Sequence, residues 1–327
     1  MRILVAGGAG YIGSITVEHL IEQGHRVTVL DNLDRGHRDA VHPQAEFVQA
    51  DLADREALDG VFQQGNFDAV MHFCASSQVG ESVVDPMLYY RNNISNGINL
   101  VDAMLAHDVK RFVFSSTAAI FGEPAEQPIS ETTLKNPLNP YGRTKLYFEN
   151  LLADADTAHG LKSVALRYFN AAGATAERGE DHRPETHLIP LIIDAARGRR
   201  PSITVFGDDY PTPDGTCVRD YIHVSDLAQA HILALKHLES TNTSDAFNLG
   251  NGTGFSVRQV IDAVEQVSGK KVTVEMGPRR AGDPAVLVAA SQKIRERLGW
   301  TPQYADLNAI VESAWQWTLK NPDGYAR

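Results

Sequence analysis

The sequence predicts an α/β fold: a doubly wound parallel sheet carrying a smaller C-terminal α/β lobe. Three observations predict it. Short apolar runs alternate with longer helical patterns through the first half. The first such run leads straight into Gly7-Gly8-Ala9-Gly10-Tyr11-Ile12-Gly13. The second half loses this regular alternation and has no second glycine fingerprint. Each β-α-β crossover lays a helix on the sheet, so strands covered on both faces read as nearly continuous apolar runs.

Taken in order, strands are expected at residues 3–6, 26–30, 46–49, 69–73, 111–114 and 164–168. Helices are expected at 11–23, 54–63, 86–106 and 140–158. Residues 208–216 are dense in Asp, Pro, Thr and Gly and read as a loop. Beyond it lie helical patterns at 224–238, with Ser225 as its cap, and at 257–268 and 307–319. Short strands are expected at 246–249 and 271–275. The domain boundary is set near 170: residues 1–170 bind a dinucleotide, and 171–327 mainly form a substrate lobe, with some elements returning to the first domain.

A chain of 327 residues is long enough for two domains. Its net charge of −11 argues against a nucleic-acid partner, which would need a basic surface. Cys74 and Cys217 lie far apart and follow no metal spacing, so both are expected as free thiols and no metal is expected. No apolar stretch reaches bilayer length, so no membrane partner is expected. The first apolar run is too short for a signal peptide, and the expected compartment is cytoplasmic.

The glycines at 7, 10 and 13 follow a strand and open a helix, which is the context a Rossmann-type dinucleotide site requires. Glycine lets the backbone turn tightly against a pyrophosphate, and the helix N-terminus offers free N–H groups and a positive dipole end. A plain connecting turn is the alternative. Asp31 ends the second strand, where a carboxylate accepts both adenosine ribose hydroxyls and repels a 2′-phosphate; NAD is favoured over NADP. Arg35 stands nearby and could serve a phosphate. Asp51 and Leu52 sit where an adenine edge would lie, and Asp51 equally suits a helix cap.

Tyr141 and Lys145 are four apart, so they share one helix face. A free tyrosine has a pKa near ~10. A neighbouring ammonium favours the phenolate, so Lys145 can activate Tyr141 as a base and also reach a nicotinamide ribose. The Thr117 hydroxyl, in Ser115-Ser116-Thr117, comes from a strand end, where such sheets bind ligands. A helix with one Tyr and one exposed Lys is the plainer alternative.

These motifs make the chain resemble the extended short-chain dehydrogenase/reductase family, and within it the UDP-hexose 4-epimerases. Further matching stretches are His72-Phe73-Cys74-Ala75, Val79-Gly80-Glu81-Ser82, Tyr89-Tyr90-Arg91-Asn92-Asn93 and Tyr168-Phe169-Asn170-Ala171-Ala172-Gly173. So are Phe206 to Thr212 and Arg219-Asp220-Tyr221-Ile222-His223-Val224. The resemblance implies reversible interconversion of UDP-glucose and UDP-galactose: oxidation at C4, rotation of the 4-ketose, and re-reduction with retained NAD. Tyr141 is then the base, Thr117 holds the 4-oxygen and Lys145 holds the ribose. By the same resemblance Gly7, Gly10, Tyr11, Ile12, Gly13, Asp31, Asn32, Asp51, Leu52, Phe73, Ala75, Asn92, Ser115 and Phe169 contact the cofactor. Asn170, His187, Leu188, Phe206, Arg219, Arg280 and Asp283 hold UDP or sugar, and Leu287 takes the pocket-gating position.

Arg219 and Arg280 suit a diphosphate, because guanidinium forks pair with phosphate oxygens; surface salt bridges are their plainer reading. The chain departs from the family in places. Ser76-Ser77 replaces a stretch with Lys in some members, and His187 replaces an Asn. Leu287, intermediate in size, leaves N-acetylated UDP-sugars open, as UDP-glucuronate also is. A dehydratase would need an acid and a base after Thr117, and Ala118-Ala119 can transfer no proton. A silent NAD-binding regulator would tend to lose Tyr or Lys, and both are present. The resemblance also implies a homodimer through the helices at 86–106 and 140–158.

Overall fold

The computed structural model describes residues 1–280 and 283–326. The first half runs β1 (Arg2–Ala6), α1 (Tyr11–Glu22), β2 (Arg26–Asp31), β3 (Glu46–Gln49), α2 (Arg55–Gly65), β4 (Ala69–His72), α3 (Val79–Val84), α4 (Pro86–Tyr90), α5 (Asn96–Ala106), β5 (Arg111–Thr117), α6 (Pro140–His159) and β6 (Lys162–Tyr168). The second half runs β7 (Asn170–Ala172), α7 (Leu188–Ala196), β8 (Ile203–Phe206), β9 (Val218–Arg219), β10 (Tyr221–His223), α8 (Val224–Thr241), β11 (Asp245–Leu249) and β12 (Phe255–Ser256). It ends with α9 (Val257–Ser268), β13 (Val274–Gly277), β14 (Val286–Leu287), α10 (Gln292–Leu298) and α11 (Leu307–Lys320).

One seven-stranded sheet carries the order β11-β6-β5-β4-β1-β2-β3, and its pairs are parallel. Strand alternation divides its side chains between two cores. Ile3, Val5, Val113 and Leu166 face α1 and α8. Leu4, Ala6, Phe112, Phe114 and Ala165 face α2, α5 and α6. The chain reverses direction between β1 and β4, which opens a crevice at their carboxyl ends. The glycine turn follows β1 there, and Phe73 follows β4. A third core joins α7, α9 and α11 with β8 and β10.

The structure corrects several boundaries. The helix expected over 86–106 is broken: α4 and α5 are joined by a π-helical turn at Arg91–Ser95. Hydrogen bonds explain the bulge, since Asn93 on that turn reaches Ser76 and Thr144. The cap of α8 is the His223 ring, which accepts from the Ser225 N–H, so Ser225 is not the cap. Strand 246–249 joins the main sheet beside β6. The strand expected at 271–275 lies at β13, paired with β8. Strand β5 runs on through Thr117, past the expected 114.

The turn itself explains two glycines. Gly7 has φ +81, and a Cβ there would sit 2.6 Å from the backbone of Phe73 and Cys74. A Cβ on Gly13 would sit 2.1 Å from the Gly7 carbonyl oxygen. Backbone cannot yield as a side chain does, so Gly13→Ala should destabilise the protein by about 1–3 kcal/mol, despite alanine's better helix propensity. A urea-unfolding series reads this, and unchanged or raised stability would contradict the packing.

Candidate functional site

The glycine turn ends at Gly10, which caps α1 with extended backbone (φ −81, ψ 173). A Cβ on Gly10 would meet only the Gly7 oxygen, at 3.4 Å. The space above the first turn of α1 is thus clear of protein, as an approaching pyrophosphate requires. Asp31 is 6% exposed. It accepts from the Ala9 N–H at 3.0 Å and the Leu33 N–H at 2.9 Å, one on each oxygen. Burial raises its pKa, and the two amides oppose the rise. Each oxygen keeps acceptor capacity for a ribose hydroxyl.

Asn32 donates to Asp51 at 2.7 Å, joining the ends of β2 and β3. The cap of α2 is Asp54, which accepts from Ala57, so Asp51 is not the cap; it takes the Ala53 N–H in a local turn. Arg35 is engaged by Glu81 at 2.9 Å. Leu52 is buried. Tyr11 donates to the Gly173 carbonyl at 2.5 Å, and Ile12 beside it packs into the core. Phe73 tilts against the His231 ring at 4.7 Å. Ala75 is half-buried. Asn92 donates to the Ser76 hydroxyl at 3.3 Å.

Lys145 is 3% exposed, which overturns the reading of an exposed surface lysine. Its Nζ donates to the Ser115 carbonyl at 2.8 Å and stands 4.8 Å from the Phe114 ring centroid. Burial lowers its pKa to about 7. The same ammonium, after burial itself, drives His72 down to about 3. Tyr141 is half-buried one helical turn earlier. Its pKa is raised by burial, and the neighbouring Thr117 hydroxyl opposes the rise. The Lys145 ammonium lies 6.0 Å from the Tyr141 ring centroid, while its hydrogen bond goes to the Ser115 carbonyl. Thr117 is buried at the end of β5.

A polar network absent from the motifs lies beneath. Glu149, one turn beyond Lys145 on α6, accepts from the Ser116 hydroxyl at 2.5 Å. It also takes both arms of the Arg167 guanidinium, at 2.9 and 2.6 Å. The two side chains are 9% and 6% exposed. On the other sheet face, the Ser115 hydroxyl meets His231 Nε2 at 3.4 Å, while His231 Nδ1 donates to the Leu227 carbonyl. Burial holds that imidazole neutral, with its pKa near 4.

The second half adds a polar edge. Asn170 donates to the Asp220 carbonyl. The buried Asp220 carboxylate accepts the N–H groups of Asn251, Gly252 and Ala289, so one side chain ties the 251–252 loop and the segment at 289 to its own strand end. Sequence reasoning passed over Asp220, although it stands inside a quoted motif. Arg219 pairs with Asp283, largely out of water. Arg280 is exposed and lies 4.0 Å over the Phe206 ring. Leu287 and Phe169 pack against a cluster of Ile120, Phe121 and Ile129, the first two in the 3-10 turn that follows Thr117. Leu188 opens α7. The His187 ring faces Glu180 and Glu185, each at 2.9 Å. Burial opposes its charge, and the two carboxylates outweigh burial, pushing its pKa up to about 10. Both cysteines are free, and no helix among the described residues is long and apolar enough to cross a membrane.

These features fit a nicotinamide dinucleotide: clear space at Gly10, a buried acceptor at Asp31 and a buried cation at Lys145. Comparison with known proteins agrees. The model of the NAD dependent epimerase/dehydratase family matches residues 3–250. The UDP-glucose 4-epimerase of Lacticaseibacillus casei is 52% identical over 327 residues, covering 99% of each chain. A crystal structure of a UDP-glucose 4-epimerase superposes with a TM-score of 0.98 at 52% identity, covering 99% of both chains. The UDP-glucose 4-epimerase from Brucella ovis, in complex with NAD, superposes with a TM-score of 0.94 at 48% identity. That match covers 96% of this chain and 97% of the other.

Removing one partner of a buried ion pair strands the other charge out of water. Glu149→Ala should therefore cost about 3–5 kcal/mol. Urea unfolding measures it, and a loss below about 1 kcal/mol would place the pair among ordinary surface contacts.

Proposed function

Since the chain belongs to the NAD dependent epimerase/dehydratase family, we propose that it interconverts UDP-glucose and UDP-galactose, with NAD retained through the cycle. The observation that carries the mechanism is the buried Lys145 one helical turn from Tyr141 on α6, with the Thr117 side chain buried at the end of β5. NAD, when bound, accepts the C4 hydride and returns it. Gly7, Gly10, Gly13, Tyr11 and Ile12 would hold its pyrophosphate side and Asp31, Asn32, Asp51 and Leu52 its adenosine side; Lys145 would reach the nicotinamide ribose, and Ser115, Phe73, Ala75, Asn92 and Phe169 would complete the cofactor site.

Thr117 orients the sugar 4-oxygen and Tyr141 removes its proton as the C–H bond opens. The 4-ketose then turns, and Tyr141 gives the proton back to the oxygen. A sugar that must turn cannot be gripped, so affinity has to come from the unreacting nucleotide. Asn170, His187, Leu188, Phe206, Arg219, Arg280 and Asp283 supply that grip. Leu287 limits the room around the sugar, and the unsubstituted hexoses are favoured over N-acetylated or glucuronate forms.

The protein is further proposed as a cytoplasmic homodimer, divided near residue 170 into a dinucleotide domain and a substrate lobe, with α8, β11 and α10 returning to the first sheet. The separate core under α7, α9 and α11 supports the division. Exposed Val83, Val84, Met87, Ile98 and Tyr147 on α3 to α6 support the dimer face. Light scattering on the purified protein should give twice 35.8 kDa. A single-chain mass would remove the dimer.

Purified protein should convert UDP-galactose to UDP-glucose with no NAD added. Tyr141→Phe should lower turnover by about 10²–10⁴-fold while bound NAD is still recovered from the denatured protein. Full activity in that variant would overturn the base assignment, and failure of the wild type even with NAD supplied would redirect the substrate.

A further inference from the structure

We propose that Glu180, His182, Glu185 and His187 form a site for one divalent transition-metal ion of the zinc class, outside the hydride-transfer chemistry. Their ligand atoms, one from each side chain, lie within 4.8 Å of one another. Both histidines present the same nitrogen. His182 Nδ1 is 3.0 Å from Glu180 and 3.7 Å from Glu185. His187 Nδ1 is 2.9 Å from the same Glu180 oxygen and 2.9 Å from the other oxygen of Glu185, so Glu185 turns one oxygen to each ring. Zinc bonds to nitrogen and oxygen of about 2.0–2.2 Å set tetrahedral ligand atoms about 3.3 Å apart, which is the spacing these four crossed distances straddle.

The sequence pattern explains the convergence. Glu-x-His occurs twice, at 180–182 and 185–187, in backbone that is neither helix nor strand. Extended chain turns alternate side chains to one side. Asp181, between the first pair, faces the other way, toward His37 and Arg183. Arg183-Pro184 folds the two pairs together. A ring N–H makes one well-aligned bond, yet each Nδ1 here meets two carboxylates. A central cation answers all four groups at once.

Support around the ligands is already in place. The N–H groups of Thr186 and His187 donate to Glu185 Oε1 at 2.7 and 2.8 Å, which orients that carboxylate. Glu180 and Glu185 are 9% and 15% exposed, so this is not a solvated acidic face. The cluster lies against Tyr11, whose ring is 6.1 Å from His182. An ion there would fasten the segment leading into α7 beside the glycine turn. It would also place the His187 ring proton on Nε2.

The test uses tag-free, chelator-treated full-length protein. Zn²⁺ titrated against a chromophoric chelator should show one equivalent taken up per chain. His182→Ala and Glu185→Gln should each weaken uptake by about 10–100-fold or more, with circular dichroism reporting whether each variant folds. Co²⁺ loaded into the wild type gives a reading independent of any variant: intense visible bands of a four-coordinate ion are expected. No stoichiometric uptake, uptake that survives both substitutions, or the weak bands of six-coordinate Co²⁺ would each overturn the site and leave a cluster of imidazolium–carboxylate pairs.

Discussion

The seating of α6 on the ends of β5 and β6 is the constraint from which the rest of the site follows. Two charged side chains of that helix, Lys145 and Glu149, leave water to make it. An ion moved out of water costs several kcal/mol, and the arrangement is tolerated only because its partners are specific. Lys145 takes the Ser115 carbonyl. Glu149 takes the Ser116 hydroxyl and both arms of Arg167. These bonds fix both the rotation and the height of the helix, and with them the position of Tyr141, one turn before Lys145.

The rest of the molecule divides the labour. The crevice between β1 and β4 is formed by topology, and the glycines at 7 and 13 let the turn close over it without collision. The second lobe is fastened by the Asp220 carboxylate, which gathers the 251–252 loop and the segment at 289 beside Arg219. Hydride transfer needs rigidity near Tyr141, whereas a turning sugar needs space. Polar anchoring lies under the end of β5, and apolar Ile120, Phe121 and Ile129, with Leu287 and Phe169 packed on them, lie beside it.

Much of this was legible where function is written locally. The glycine turn, Asp31 and the Tyr141–Lys145 pair follow from spacing along one or two elements: the turn and Asp31 meet beyond β1 and β2, and Lys145 reaches the end of β5. What stayed hidden depends on distant pairing. Nothing in the sequence near Glu149 announces Arg167, and the π-helical turn exists because Asn93 reaches Ser76 and Thr144 across separate elements. The spacing of Lys145 and Tyr141 is local, but the Ser115 carbonyl that takes the buried ammonium comes from another element. Residues 246–249 looked like part of a second lobe, yet their pairing with β6 extends the first sheet. His187 was matched to a nucleotide contact, while the Glu-x-His repeat around it went unread because metal spacing was sought among the cysteines.

The central claim is that C4 inverts by hydride removal and return within a closed site, with only the hydroxyl proton handled by Tyr141. UDP-galactose deuterated at C4, turned over in ordinary water, tests it most directly. The account predicts UDP-glucose that keeps its deuterium at C4. Replacement of that deuterium by solvent hydrogen would mean inversion through proton abstraction at carbon, and would contradict it.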